Sequence, residues 1–168
     1  MSLSMYEVSV PVFASMLGAM SHVLRKAEKY AQENDIDPAT LTTARHFEDM
    51  LPLTAQVQIA TDMAKGCVSR LSGREVPKWE DNEQSFGELQ ARIAKALDYI
   101  GTFSPEDFEG SEDREVTLKI AGNEMTFPGR AYLLGFVHPN FYFHVTTAYS
   151  LMRAKGVPLG KADYFGRG

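Results

Sequence analysis

Apolar residues recur every three or four positions in four long stretches of the chain, the spacing of one face of an α-helix. The pattern predicts helices over residues 9–33, 52–71, 86–100 and 128–156. The inward stripe of the last helix consists of Leu134, Val137, Phe141, His144, Ala148 and Leu151. That stripe is apolar except for one imidazole. These stretches predict a mainly α protein built from long helices.

Local signals mark the ends of these helices. Pro128 suits an opening turn, and Gly156 is typical of a stop. The segment Ser85–Glu88 has the residues of a capping box. Glu88 and Arg92 have the spacing of a surface ion pair on the third helix. The polar face of the second helix is expected to meet solvent; it holds Gln58, Asp62, Lys65 and Ser69.

The hydrophobic period changes to two before the last helix. Val116, Leu118 and Ile120 alternate with polar residues, and the alternation resumes at Met125 and Phe127. Residues 121–124 between these runs have the composition of a turn. The pattern predicts a small β-hairpin that packs against the helices, because an isolated hairpin is marginally stable.

Composition bounds the class of protein. The chain has 168 residues, and residues 5–168 are predicted to form a single domain. Residues 1–4 are interpreted as a vector-derived remnant. One cysteine excludes an internal disulfide, and no apolar run reaches membrane-spanning length, so we expect a cytoplasmic protein without membrane contact.

Charge argues against one class of partner. A net charge of −5 disfavours nucleic-acid binding. Residues 75–115 contain 12 acidic and 4 basic residues. This acidic segment is interpreted as a solvated surface or as a docking surface for the basic C-terminal end, within one chain or between two. The basic residues of that end are Arg153, Lys155, Lys161 and Arg167.

His144 is the first candidate for chemistry because it lies on the core-facing stripe. Asn140 and Thr147 lie about one turn to either side of it, Gln56 on the second helix can hydrogen-bond to it, and Tyr142 lies beside it. A buried imidazole with polar neighbours can serve as a general base, a ligand-binding group or a metal ligand. It can equally be a core histidine whose hydrogen bonds are satisfied.

A metal site is not expected from these residues alone, because one histidine does not make one. His138 is about 120° from His144 around a regular helix, so both can bind one ion only if Pro139 deforms the helix. His46 precedes the second helix. If a metal is present, we expect His144 to bind it together with His46 or His138.

The chain resembles the DinB/YfiT-like helical bundle superfamily, within it a branch known as a domain of unknown function. Four stretches from Met5 onward carry the resemblance: MYEVSVPVFASMLGAM, PLTAQVQIATDMAKG, ELQARIAKALDYI and PNFYFHVTTAYSLMRAKGVPLGKADY. The resemblance implies a four-helix bundle of up-down-down-up topology with a long crossover between the second and third helices. It also implies that homodimers are to be expected.

Members of that superfamily often hold a divalent metal with three histidines, and some are thiol-dependent transferases or isomerases. By resemblance His144 matches one ligand position, while Asn140 and Gln56 stand at the other two. Neutral amides bind zinc or nickel poorly compared with imidazole. The leading hypothesis is therefore a protein that binds a small molecule at a polar cluster without tightly bound metal. The alternatives are a metal-dependent transferase or hydrolase-like enzyme, and a dimeric interaction module.

Overall fold

The computed structural model describes residues 3–120 and 122–167, so the expectations for Met1, Ser2, Ala121 and Gly168 lie outside the described residues. The protein is mainly helical with one small hairpin. Its α-helices are α1 Val10–Glu33, α2 Pro38–Thr42, α3 Leu53–Ser72, α4 Phe86–Ile100, α5 Gly129–Ala131, α6 His138–Ala154 and α7 Lys161–Tyr164. A 3₁₀ turn spans Pro105–Phe108, and the strands are β1 Glu115–Ile120 and β2 Asn123–Pro128.

The long helices share one apolar core. Helix α3 packs against α4 and α6, and α1 packs against the same two helices. Their inward faces bury large side chains, among them Phe13, Leu71, Leu89 and Phe141. The predicted bounds of the long helices are confirmed to within one or two residues. The predicted capping box is present, since the Ser85 hydroxyl and the Glu88 carboxylate each bind the other's backbone N–H.

The last long helix contains a π turn that the sequence pattern did not predict. Residues Tyr132–Val137 form this turn between α5 and α6. A π turn accommodates one more residue than an α turn, so it shifts the side chains that precede it around the helix axis. Leu133 is consequently buried, whereas Leu134 is 49% exposed. The prediction that Leu134 lies on the inward stripe is wrong for this reason.

The predicted hairpin is confirmed. Strands β1 and β2 are antiparallel, with Val116 opposite Phe127 and Ile120 opposite Asn123. The turn is shorter than predicted, because Asn123 and Glu124 belong to β2. Gly122 has a φ of +86°, a conformation that glycine adopts without strain. Val116 is the residue of β1 that reaches the core.

Arg92 organises the connection between α3 and α4, and it is not the surface partner of Glu88. Its side chain is 3% exposed. The guanidinium bonds Asp62 at 3.0 Å, Asp81 at 2.8 Å and Glu83 at 3.0 Å. It also donates to the Thr61 hydroxyl and the Glu80 carbonyl. We call these groups the Arg92 cluster.

The Arg92 cluster changes the interpretation of the acidic segment. Two carboxylates of the segment, those of Asp81 and Glu83, are neutralised by Arg92 of α4 rather than by the basic C-terminal end. Trp79 covers the cluster, with the Lys65 ammonium 4.4 Å and the Lys95 ammonium 4.6 Å from its ring centre. Lys65 is thereby buried, and it pairs with Asp62 at 2.7 Å. Reversing charges in this segment would therefore disturb the fold before it altered any contact with another molecule.

Asp163 fixes the C-terminal helix α7 to α1. Its carboxylate accepts hydrogen bonds from Lys26 at 2.7 Å, from His22 at 2.8 Å and from the Gly160 backbone N–H at 2.7 Å. Burial alone would raise the pKa of Asp163, but these three donors outweigh it and hold the pKa well below its usual range. His22 thereby has a defined partner on α7.

Replacing Asp163 by asparagine is expected to lower the free energy of unfolding at pH 7 by about 1–2 kcal/mol, because charge-assisted hydrogen bonds are lost. The folded-state pKa is depressed, so this stabilisation is present above the unfolded pKa of about 3.9 and is lost on acidification. The difference in free energy of unfolding between the wild type and Asp163→Asn should therefore become smaller below about pH 4. Urea denaturation of both proteins at pH 7 and below about pH 4 measures this difference. A difference that is the same at both pH values would contradict the stabilising role of the Asp163 carboxylate.

Candidate polar site

A hydrogen bond between His144 and Gln56 joins α6 to α3. The Nδ1 atom of His144 lies 2.7 Å from Oε1 of Gln56. The Gln56 side chain is 2% exposed, and its amide nitrogen donates to the Leu51 carbonyl at 3.0 Å. The hydrogen bond that the sequence suggested between these two residues is present. The Leu51 carbonyl was not predicted, because a backbone atom leaves no signal in the residue pattern.

These contacts determine which nitrogen of His144 carries the proton. The Leu51 carbonyl only accepts, so the NH₂ group of Gln56 must face it. The Gln56 oxygen therefore faces Nδ1 of His144, and Nδ1 must donate. The neutral ring then has its proton on Nδ1 and a lone pair on Nε2. Within residues 3–120 and 122–167, Nε2 has no hydrogen-bond partner.

Burial also favours the neutral form of His144. The ring is half-buried, and desolvation lowers its pKa below the ordinary value. An imidazole kept neutral near pH 7 can accept a hydrogen bond or a proton at Nε2. Phe143 contacts the edge of the ring, with the ring centres 5.2 Å apart.

The other predicted members of the cluster do not bind His144. The Asn140 amide donates to the Phe136 carbonyl at 2.6 Å, and the Thr147 hydroxyl donates to the Phe143 carbonyl at 2.7 Å. Both side chains thus satisfy backbone groups of their own helical segment. Tyr142 packs edge-on against His138 and Phe141, which removes it from the Gln56 side of the helix.

A surface groove of about 430 Å³ lies alongside α6, and its lining includes Phe143 and Thr147 but not His144 itself. It is lined by Tyr142, Phe143, Thr146, Thr147 and Ser150 from α6 and by His46 from the segment before α3. Aromatic rings and hydroxyl groups make up most of this surface. The groove therefore brings together His46, Tyr142 and Thr147, which the sequence picked out separately.

His138 has a backbone partner of its own. His138 bonds the Val8 carbonyl through Nε2 at 2.9 Å, and burial lowers its pKa, an effect that this hydrogen bond partly offsets. In the described part of the chain, no group of three or more His, Cys, Asp or Glu side chains could hold a metal ion. Among the same residues, none of the helices is both long and apolar enough to span a membrane.

The fold is that of a DinB-like helical protein. A solved structure described as a DinB family member from Shewanella denitrificans superimposes with a TM-score of 0.87. It is 37% identical in sequence, and the match covers 96% of this chain and 91% of that one. No curated protein matches the chain.

The chain belongs to the family defined as the domain of unknown function DUF1993, whose sequence profile matches residues 5–165. The three-histidine metal site of the wider superfamily does not fit this chain. Gln56 and Asn140, which the resemblance assigned to two ligand positions, are neutral amides, and hydrogen bonds to His144, Leu51 and Phe136 occupy both.

Proposed function

We propose that this DUF1993 protein binds a small molecule in the groove beside α6, with His144 accepting a hydrogen bond from it. The single observation that supports the proposal is the His144–Gln56–Leu51 chain of hydrogen bonds, which leaves the lone pair of His144 Nε2 without a partner among the described residues. The proposal includes an up-down-down-up four-helix bundle as the scaffold and needs no tightly bound metal.

The chemistry of the groove limits the ligand. Aromatic surface from Tyr142 and Phe143 favours an apolar or planar body. The hydroxyls of Thr146 and Ser150 and the imidazole of His46 offer polar contacts at the rim. His144 supplies an acceptor, so the ligand should carry an N–H or O–H group. A neutral molecule with one such donor on a planar ring system satisfies these conditions.

Replacing His144 by phenylalanine is expected to weaken this binding while leaving the fold intact. A ligand-observed NMR screen of planar alcohols, phenols and amides should give binders for the wild type, with affinities reduced about tenfold or more in His144→Phe. The long-range ¹H–¹⁵N spectrum of the wild type should show Nδ1 protonated, with the Nε2 resonance shifting when a binder is added.

His22→Phe is the matched control, because it removes a half-buried imidazole on α1 that does not line the groove. It should leave the binders unaffected. Binders that are indifferent to His144→Phe, or a wild type that binds none of these compounds, would show that His144 and Gln56 only tie α6 to α3. Raised stability of His144→Phe together with unchanged binding points to the same packing role.

Two other hypotheses from the sequence stay predictions. A metal-dependent transferase would need His144 with a second ligand, and His46 is the histidine that lines the same groove. A homodimer is supported by exposed aromatic surface near that groove, where Phe47 is 72% and Phe143 56% exposed. The cytoplasmic location is likewise a proposal.

A further inference from the structure

A second cleft, of about 270 Å³, lies toward the other end of α3. Arg70 of α3, Lys119 of β1, and Tyr132 and Phe136 of the π turn contribute to its lining. Arg70 follows Gln56 by fourteen positions, so about 21 Å of helix separates this cleft from the His144 site. The two sites are therefore distinct.

Arg70 has no carboxylate partner among the described residues, unlike the two nearest cations along the chain. Lys65 pairs with Asp62, and Arg74 pairs with Asp107 at 2.6 Å. Arg70 makes no ion pair within the described residues, and its guanidinium makes one hydrogen bond, to the Tyr132 hydroxyl at 3.1 Å. A half-buried guanidinium has five N–H donors, so most of its capacity is unused by the protein.

Gly66 provides the space in which the Arg70 side chain lies. A Cβ atom at position 66 would fall directly on the Nη1 atom of Arg70, one helical turn away. The absence of a side chain there lets the guanidinium fold back along α3 to reach Tyr132. The position of the cation is thus a consequence of local sequence as well as of tertiary packing.

Tyr132 supplies a second donor beside Arg70. Its side chain is 1% exposed, and its oxygen accepts the hydrogen bond from Arg70. The hydroxyl proton has no acceptor within residues 3–120 and 122–167. Burial raises the pKa of Tyr132 to about 12, so the hydroxyl stays protonated near neutral pH. A buried donor without an acceptor is costly unless a ligand provides one.

Aromatic rings form the apolar wall of the cleft. Phe136 stacks on Tyr132 with ring centres 6.1 Å apart and on Phe127 at 5.8 Å. The π turn places Tyr132 and Phe136 on the same side of the helix, and such turns occur often at functional sites. Asp62 is the acidic side chain in the lining, and Lys65 and Arg92 already neutralise it.

We propose that this cleft binds a small organic anion, an aromatic carboxylate or phosphate monoester. The guanidinium of Arg70 and the hydroxyl of Tyr132 would donate to its oxygens, and Phe136 would contact its ring. Lys119 at the rim adds a further positive charge. Arginine is suited to this role because its planar N–H groups match the geometry of carboxylate and phosphate oxygens.

Isothermal titration of the full chain with benzoate, phenyl phosphate and inorganic phosphate tests the proposal. At least one of the two aromatic anions should bind, and its affinity should fall about tenfold or more in Arg70→Met and about threefold or more in Tyr132→Phe. Arg167→Met, which removes an exposed arginine, is the matched control and should bind like the wild type. Comparing benzoate with phenyl phosphate identifies the anionic group.

Other outcomes overturn the proposal. They are the absence of binding by both aromatic anions at millimolar concentration, or affinities unchanged in Arg70→Met and Tyr132→Phe. Inorganic phosphate binding as tightly as phenyl phosphate would refute the role of Phe136. Far-UV circular dichroism checks that each variant is folded. If Arg70→Met does not fold, the titration of Tyr132→Phe tests the proposal instead. His144→Phe should bind these anions normally, which separates this result from any failure at the His144 groove.

Discussion

Replacing Arg92 by methionine is expected to lower the free energy of unfolding by about 3–5 kcal/mol. Methionine fills most of the volume but cannot neutralise Glu83, whose side chain is 12% exposed and bonds the guanidinium at 3.0 Å, whereas Asp62 keeps its ion pair with Lys65. Removing one partner of a buried ionic network leaves the others desolvated without compensation. Asp81 contributes less, because its side chain is 56% exposed.

The fluorescence of Trp79 reports on the effect of Arg92→Met in the connection between α3 and α4. It is the single tryptophan of the chain, and its ring centre lies 5.8 Å from the Arg92 guanidinium. In Arg92→Met its fluorescence should change at lower urea concentration than the helical circular dichroism signal, because the connection detaches first. Arg130→Met, at an exposed arginine, should stay within about 0.5 kcal/mol of the wild type. A similar small change in Arg92→Met would contradict this account.

The second large effect is expected from Gly129→Ala. Gly129 opens the last helical segment, and a Cβ atom there would overlap the backbone carbonyl oxygen of Ser111 and touch Leu71. The Arg130 N–H bonds the Glu112 carbonyl at 2.9 Å, which fixes that segment against the helix. The Ser111 carbonyl precedes this fixed residue and cannot move aside cheaply, so the free energy of unfolding should fall by about 3 kcal/mol.

The same substitution elsewhere provides the control for Gly129→Ala. A Cβ atom at Gly18, inside α1, meets nothing within 4 Å. Because alanine favours the helix over glycine, Gly18→Ala should raise the free energy of unfolding by about 0.5–1 kcal/mol. Urea denaturation of both variants should therefore give opposite signs. Equal effects at the two positions would show that the contact with Ser111 is not responsible.

The order of elements was predictable because local rules act within a few residues of each other. The hydrophobic period located the long helices and the hairpin, and the capping signal at Ser85 located the start of α4 within one residue. The prediction that the polar face of α3 meets solvent is wrong for two of its side chains. Lys65 and Ser69 are buried because Trp79 and Tyr99 lie over them, and the residues that cover a face are not part of its own pattern.

The candidate site was predictable only in part. His144 and Gln56 were recognised because each lies on an inward face, and their hydrogen bond follows from packing α3 against α6. Asn140 and Thr147 share the helix with His144, but their side chains reach backbone carbonyls one turn earlier, a choice that depends on rotamers. Arg70 and Tyr132 are far apart in sequence and gave no common signal.

The sequence by itself determined which segments are helical, where the hairpin lies and which residue types are available for chemistry, because propensity, periodicity and capping depend on near neighbours. Tertiary structure alone decided that Arg92 is buried, that the π turn exposes Leu134, and that Arg70 meets Tyr132 without a carboxylate. Burial and charge pairing depend on residues brought together from distant parts of the chain. Those contacts determine the protonation state of His144, and they leave N–H donors of Arg70 and the hydroxyl proton of Tyr132 without an acceptor among the described residues. Both proposed sites are inferred from these features.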